Sequence, residues 1–130
     1  MQERDLEFWD EDDWKQITST WPNAVNRGFA TRLRVVQNGG QPTSHAKPLK
    51  GFAISLWELW HRDGQRVVYT VEYASLTNHI DVLDAFKKNS SEGKKMRTSD
   101  TVRITARVTA LVRRMAELKA ELEAKRRGLH

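Results

Sequence analysis

Three runs rich in β-branched and aromatic residues in the middle of the chain constrain the fold more than any other feature. They cover residues 56–61, 66–74 and 79–86, and the connectors 62–65 (RDGQ) and 75–78 (SLTN) have the composition of turns. Each connector is too short for the crossover that a parallel pairing needs. The sequence therefore predicts an antiparallel meander of three strands.

Alternation along the middle run predicts one apolar face and one face that keeps a cation, because successive side chains of a strand point in opposite directions. The two sets are Val67, Tyr69, Val71 and Tyr73 on one side, and Arg66, Val68, Thr70 and Glu72 on the other. The third run leads into Lys87 and Lys88. These lysines place two adjacent charges at a strand end, where a polyanion can meet them.

Helices are predicted on both sides of the meander. A short strand within residues 5–9 precedes a helix from 11 to about 19, whose acidic first turn complements the exposed amide groups there. A second helix follows Pro22 and ends before the glycine pair 39–40. Its apolar stripe consists of Val25, Phe29, Leu33 and Val36.

The rest of the chain is predicted as a loop over residues 41–51 and a long final helix from Thr98 to about Arg127. The expected fold is a single α+β domain over residues 1–130, a small antiparallel sheet with an N-terminal helical hairpin and a long C-terminal helix. The charged end of that helix, 116–130, either projects to meet a partner or a second copy, or is a solvated tail.

Composition excludes several function classes. The chain has no cysteine, which excludes disulfides, zinc–thiolate sites and thiol catalysis. No run approaches the roughly 18 apolar residues of a membrane span, and the acidic N-terminus is unlike a signal peptide. We therefore expect a soluble cytoplasmic protein with no membrane partner.

Charge is distributed unevenly along the sequence. The net charge is +5, but residues 1–20 contain seven acidic and two basic residues, so the remaining 110 residues carry +10. A surface of that charge favours a phosphate backbone or an acidic protein partner, although ordinary solubilising lysines and arginines give the same total.

Motif spacing predicts neither a metal site nor a bound cofactor, since the histidines lack ligand spacing and there is no glycine-rich phosphate loop. Cations instead gather around the meander. They are Lys47, Lys50, Arg62, Arg66, Lys87, Lys88, Lys94, Lys95 and Arg97. Such a cluster can hold RNA, or cleave it by stabilising the phosphorane that forms when a 2′-hydroxyl attacks its own phosphate.

Glu58 is the candidate general base of such a reaction if it lies beside Arg66 on neighbouring strands. The alternative is a cross-strand ion pair with Arg66. Tyr69 and Tyr73 are interpreted as core residues, and the tryptophans as core with a possible stacking surface for bases.

The order of elements and motifs resembles the RelE/ParE toxin superfamily, specifically its phage-related HigB-like branch, from about residue 4 to residue 114. That branch has the patterns K-x-L-x-G, (Y/W)-E-L-R, (F/Y)-R-V-x-Y and H-A-F-x-K-K. The corresponding segments are KPLKG at 47–51, WELW at 57–60, QRVVY at 65–69 and DAFKK at 84–88.

The resemblance implies the toxin of a type II toxin–antitoxin pair, a ribosome-dependent endonuclease of mRNA held in a hetero-oligomer by its antitoxin, commonly a helix-turn-helix protein. It implies that Arg66 contacts the scissile phosphate, that Lys87 and Lys88 stabilise charge, and that Lys50 binds the RNA backbone. The other cations assigned to RNA binding are Lys47, Arg62, Lys94, Lys95 and Arg97.

Two positions depart from the family pattern: Trp60 replaces an arginine and Asp84 replaces a histidine. These departures favour a second hypothesis, a ParE-like toxin that inhibits a target such as gyrase by binding alone. A third hypothesis is a phage-derived nucleic-acid-binding protein without toxicity, for which the basic tail at 125–127 matters as much as Lys87.

Overall fold

The computed structural model describes residues 3–88 and 96–128. The elements in chain order are β1 (Asp5–Phe8), α1 (Glu11–Thr18), α2 (Asn23–Gln37), β2 (Ala46–Leu49), β3 (Leu56–Trp60), β4 (Gln65–Thr70), α3 (Ala74–Thr77), β5 (His79–Lys87) and α4 (Thr98–Arg126). The predicted α+β class is confirmed, together with the meander, the N-terminal helical hairpin and the long C-terminal helix.

The five strands form one sheet in the order β1-β5-β4-β3-β2. The pairs β3·β4 and β4·β5 are antiparallel, as the short connectors predict. The sheet is mixed because β1 joins β5 in parallel. The predicted loop over 41–51 contains β2, so that part of the prediction is wrong. Pro48 lies in β2, and an edge strand tolerates proline because an edge has no partner for the missing N–H.

The α1–α2 hairpin covers one face of the sheet. The predicted stripe of α2 is buried there, and this core consists of Trp21, Val25, Phe29, Leu33, Val36, Leu59, Val67, Tyr69, Ala74, Ile80, Val82 and Ala85. The stripe packs because its spacing keeps all four side chains on the side of α2 that meets the sheet.

α4 covers the opposite face, so neither face of the meander is left open. Its core consists of Leu56, Val68, Tyr73, Leu83, Phe86, Ile104, Val108, Leu111 and Met115. The predicted division of the middle run holds within β4 and is wrong beyond Thr70, where the strand ends and Tyr73 packs beneath α4. Both Tyr69 and Tyr73 are buried, as predicted.

A bulge in β5 turns two consecutive residues toward α4. Val68 pairs with Asp84 and Tyr69 with Val82, which leaves Leu83 as the extra residue. Asp84 meets Arg103 and Arg107 of α4 there. The helix is therefore joined to the sheet by ion pairs as well as by its apolar stripe.

The last turns of α4 extend past the sheet. Its 29 residues span about 43 Å, against about 30 Å for the nine residues of β5. Within this end, Arg126 and Arg127 pair with Glu123 of the same helix. No helix within 3–88 or 96–128 has the length and apolar character needed to cross a membrane.

Candidate functional site

Three charged side chains from three adjacent strands meet on the α4 face of the sheet. Lys47 of β2 is the register partner of Glu58 on β3, and Arg66 of β4 lies diagonally across from Glu58, since its own partner is Trp60. Glu58 Oε1 is 3.5 Å from Lys47 Nζ and 3.2 Å from Arg66 Nε. We call these three residues the charged triad.

The triad members differ in exposure. The side chain of Glu58 is 6% exposed and that of Arg66 is 17% exposed, whereas that of Lys47 is 52% exposed. Arg66 Nη1 also donates hydrogen bonds to the carbonyl oxygens of His61 and Gln65, at 2.9 and 3.0 Å. Arg66 is therefore fixed by two hydrogen bonds and one ion pair, and Lys47 is the cation that solvent reaches.

The end of β5 borders the triad through the hairpin between β3 and β4. The Lys88 amide donates to the Gly64 carbonyl at 2.8 Å, which extends the ladder past the pairs Arg66–Phe86 and Gln65–Lys87. Gly64 has φ +110°, and a Cβ there would lie 2.1 Å from the Lys88 carbonyl oxygen. Only glycine permits this approach.

Strand alternation separates the two lysines of β5. Phe86 and Lys88 share the α4 face with Arg66, and Lys87 shares the other face with Ala85. Arg66 and Lys88, which the resemblance assigns to the same phosphate, therefore share one face of the sheet, but Lys87 lies on the opposite side. It lines a cleft of about 580 Å³ between α1 and the start of α4. Arg97 Nη2 donates to the Lys87 carbonyl oxygen at the edge of β5.

The other predicted RNA-binding cations are more scattered. Lys50 follows the pair Leu49–Leu56, about 13 Å along β3 from Trp60, and it lines a separate pocket of about 430 Å³. Arg62 is exposed in the hairpin, 3.9 Å from Asp63. Lys94 and Lys95 lie outside the described residues.

The RelE/ParE resemblance did not indicate the contacts that Asp84 makes. Its side chain is fully buried, with Oδ2 at 2.6 Å from Arg103 Nη2 and Oδ1 at 3.1 Å from Arg107 Nη1. Burial raises the pKa of the Asp84 carboxyl, and the hydrogen bond from Arg103 opposes that shift. The four-residue spacing of the two arginines on one helix was the sequence signal for this contact.

The acidic N-terminal segment also contributes to this contact. Arg107 Nη2 lies 3.4 Å from Asp13 Oδ2, so α1, β5 and α4 share one set of ion pairs. Trp60, the other departure from the family pattern, packs its ring 4.6 Å from the ring of His45. An aromatic ring therefore lies beside Arg66 in place of a second arginine.

Asp81 is a second buried carboxyl that the sequence did not reveal. It is 9% exposed, and its Oδ2 atom has no hydrogen-bond partner among the described residues. Burial raises the pKa of Asp81 to about 6. His79 opposes this shift, and Glu7 adds to it. Glu7 is its register partner on β1, so two carboxylates lie side by side.

An apolar groove of about 600 Å³ runs between β1, α1 and α2. Its apolar lining residues include Leu6, Phe8, Trp14, Phe29, Ala30 and Leu33. Arg27 and Arg34 also line it, and α2 has three arginines and no acidic residue. The groove therefore combines an apolar lining with a positively charged edge.

Titratable groups in the described ranges form no cluster of three or more histidine, cysteine or acidic residues that could hold a metal ion. The triad face presents one buried carboxylate beside the cations Lys47 and Arg66, and such a set of charges suits an anionic ligand. Comparison of the chain with known protein families, with curated proteins and with solved structures found no match.

Proposed function

We propose that the chain is the toxin of a type II toxin–antitoxin pair and that it cleaves mRNA on the translating ribosome. The observation that carries the proposal is the charged triad, with Lys88 beside it on the same face of the sheet. Metal-independent cleavage by a ribose 2′-hydroxyl requires a proton acceptor and positive charge around one phosphate. The ordered motifs of the RelE/ParE resemblance support the same reading.

In the proposed reaction the scissile phosphate lies against Arg66 and Lys88. Glu58 accepts the proton of the 2′-hydroxyl while the O2′–P bond forms. The two cations stabilise the charge that develops on the phosphorane. The P–O5′ bond then breaks, and the ammonium group of Lys88 gives a proton to the leaving 5′-oxygen. The products are a 2′,3′-cyclic phosphate and a 5′-hydroxyl.

Lys87 has a different role in this proposal from the one that the resemblance implies. Its position on the opposite face from Arg66 favours a contact with RNA backbone beyond the scissile phosphate. Trp60 beside Arg66 offers a ring for base stacking, although its contact with His45 uses part of that ring.

The proposed antitoxin contact is the apolar groove between β1, α1 and α2. An amphipathic segment with acidic side chains fits it, because its apolar face can cover Phe8 and Leu33 while its carboxylates meet Arg27 and Arg34. Exchange of both arginines for glutamate should weaken the toxin–antitoxin complex at least tenfold without altering RNA cleavage. Unchanged affinity would show that the antitoxin binds another surface of the toxin.

Expression in a bacterial host with primer extension on host transcripts tests the function. Wild-type protein should arrest growth and leave cleaved messages on ribosomes, and Arg66→Ala should do neither. Lys15→Ala is the matched control, because Lys15 is an exposed lysine paired with an exposed glutamate on α1, far from the triad. Intact transcripts in cells that are arrested by the wild type would refute the nuclease proposal.

A ParE-like toxin that acts by binding alone is the second candidate. The observation that favours it is the burial of Asp84 between Arg103 and Arg107, which leaves no exposed acid–base group at the position of the family histidine. Growth arrest with stalled replication and whole transcripts would support this candidate.

A further inference from the structure

We infer that Lys47 is a positioning residue, a cationic latch on Glu58 that an RNA phosphate opens when it binds. The inference rests on the proposed function, because it assigns the regulation of the same site. Its basis is the shared oxygen of the triad: Lys47 and Arg66 both approach Oε1 of Glu58. One carboxylate oxygen is thus held by one fixed and one exchangeable cation.

The two cations are unequal because their other contacts differ. Arg66 donates hydrogen bonds to two backbone carbonyls and forms an ion pair with Glu58, so its guanidinium group is held in place. Lys47 is half exposed and belongs to the edge strand β2. An ammonium group on a flexible stem exchanges one anion for another with little change of geometry. An incoming phosphate therefore takes Lys47 and leaves Arg66 in place.

Glu58 needs this latch while no RNA is bound. A carboxylate that is almost wholly buried is costly unless its charge is compensated. Arg66 compensates it on one side, and Lys47 completes the compensation from solvent. When the phosphate draws Lys47 away, a lone pair of Oε1 becomes available beside that phosphate, where the attacking 2′-hydroxyl lies. Glu58 becomes a proton acceptor only in the presence of substrate.

A double-mutant cycle on RNA affinity tests the latch. The probe is a single-stranded RNA oligonucleotide with 2′-O-methyl groups, which the proposed reaction cannot cleave. In wild-type protein, binding must break the Lys47–Glu58 pair, so Glu58→Gln should tighten binding about two- to fivefold beyond any general charge effect, the range for a partly exposed ion pair. In a Lys47→Met background, Glu58→Gln should give no such gain in RNA affinity. In a Lys47→Arg background, Glu58→Gln should still give the gain.

The general charge effect is measured with a second pair. Glu11 and Lys15 lie 3.4 Å apart on α1 and are both exposed. Glu11→Gln removes the same charge as Glu58→Gln, and its effect on affinity should be equal with lysine or methionine at position 15. The latch is refuted if the effect of Glu58→Gln on RNA affinity is the same with lysine or methionine at position 47, as in the control pair. It is also refuted if Glu58→Gln weakens binding.

Nitrogen NMR of the Lys47 ammonium group in wild-type protein is the independent measurement, and it holds even if a Glu58 variant fails to fold. The signal should report an ion pair before RNA is added and a changed partner afterwards. An unchanged signal in the RNA complex would refute the latch. Absence of cleavage of unmodified mRNA on translating ribosomes would refute the proposed function alone, whereas cleavage there without coupling between Glu58 and Lys47 would refute the latch alone.

Discussion

Replacement of Asp84 should destabilise the fold more than replacement of any exposed acid, because it removes the fully buried carboxylate that pairs with both Arg103 and Arg107. Removal of one member of a buried ion pair costs about 3–5 kcal/mol. Arg103 is about one-third exposed and keeps Asp100 at 2.7 Å, and Arg107 is mostly buried but keeps Asp13 at 3.4 Å, so neither arginine is left without a carboxylate. We therefore expect Asp84→Ala to lower the free energy of unfolding by about 3 kcal/mol, the lower end of that range.

Urea unfolding followed by tryptophan fluorescence measures this loss. At about 3–6 °C per kcal/mol for a chain of this length, the melting temperature in a thermal scan should fall by roughly 9–18 °C. Asp12→Ala, an exposed acid of α1, is the control and should stay within about 0.5 kcal/mol of wild type. A loss below about 1 kcal/mol for Asp84→Ala would refute the view that this carboxylate joins α4 to the sheet.

The family pattern at position 84 gives the sharper version of the test. Asp84→His restores the histidine of the resemblance but places a ring that can gain a positive charge against two guanidinium groups. It should be at least as destabilising as Asp84→Ala and should not increase RNA cleavage. A stable Asp84→His variant with higher cleavage would show that position 84 belongs to the chemistry.

Two further predictions concern stability and geometry. The pKa of Asp81 is raised to about 6, so the stability that its protonated form contributes is present below the unfolded-state value near 4 and is lost as the pH rises through about 6. Asp81→Asn should therefore be more stable than wild type at pH 7.5, by at most about 3 kcal/mol, and equal to it near pH 4. A constant difference in the free energy of unfolding between pH 4 and pH 7.5 would contradict the argument. Gly64→Ala should cost about 2 kcal/mol or more and reduce cleavage, because its Cβ meets the Lys88 carbonyl oxygen. Gly51→Ala shares a positive φ but has nothing within 4 Å, so chemical denaturation should find a smaller loss and cleavage should be unchanged.

Local patterns predicted those parts of the fold that local chemistry determines. The stripe from Val25 to Val36 and the two short connectors each specify one structure, because helical spacing and connector length leave no alternative. β2 was missed because Pro48 reads as a loop signal, and an edge strand tolerates it. The predicted faces hold within β4 and fail only beyond Thr70, where the strand ends and Tyr73 packs beneath α4.

The site was predictable only in part, because some of its contacts depend on strands and faces that local patterns do not specify. The pairing of Glu58 with Arg66 follows from a hairpin register, which the connector length determines. Lys47 joined them through β2, a strand that the sequence did not reveal. Lys87 was grouped with Lys88 because adjacent cations look like one patch in a sequence, whereas strand alternation sends them to opposite faces. The Asp84 contact needed knowledge of which face of α4 meets β5.

Replacement of both buried members of the charged triad tests whether the triad is only a structural ion pair. A buried ion pair is often no more stabilising than apolar residues of similar volume, and such replacement is neutral or stabilising by about 1–4 kcal/mol. We therefore expect Glu58→Leu with Arg66→Met to match or exceed wild-type stability in urea unfolding while RNA cleavage is lost. The single variant Arg66→Met should be less stable than the double variant, because it leaves Glu58 buried with Lys47 alone. If the free energy of unfolding of the double variant fell by more than about 2 kcal/mol, the triad would be a stabilising element of the sheet. Its presence would then no longer argue for a catalytic role.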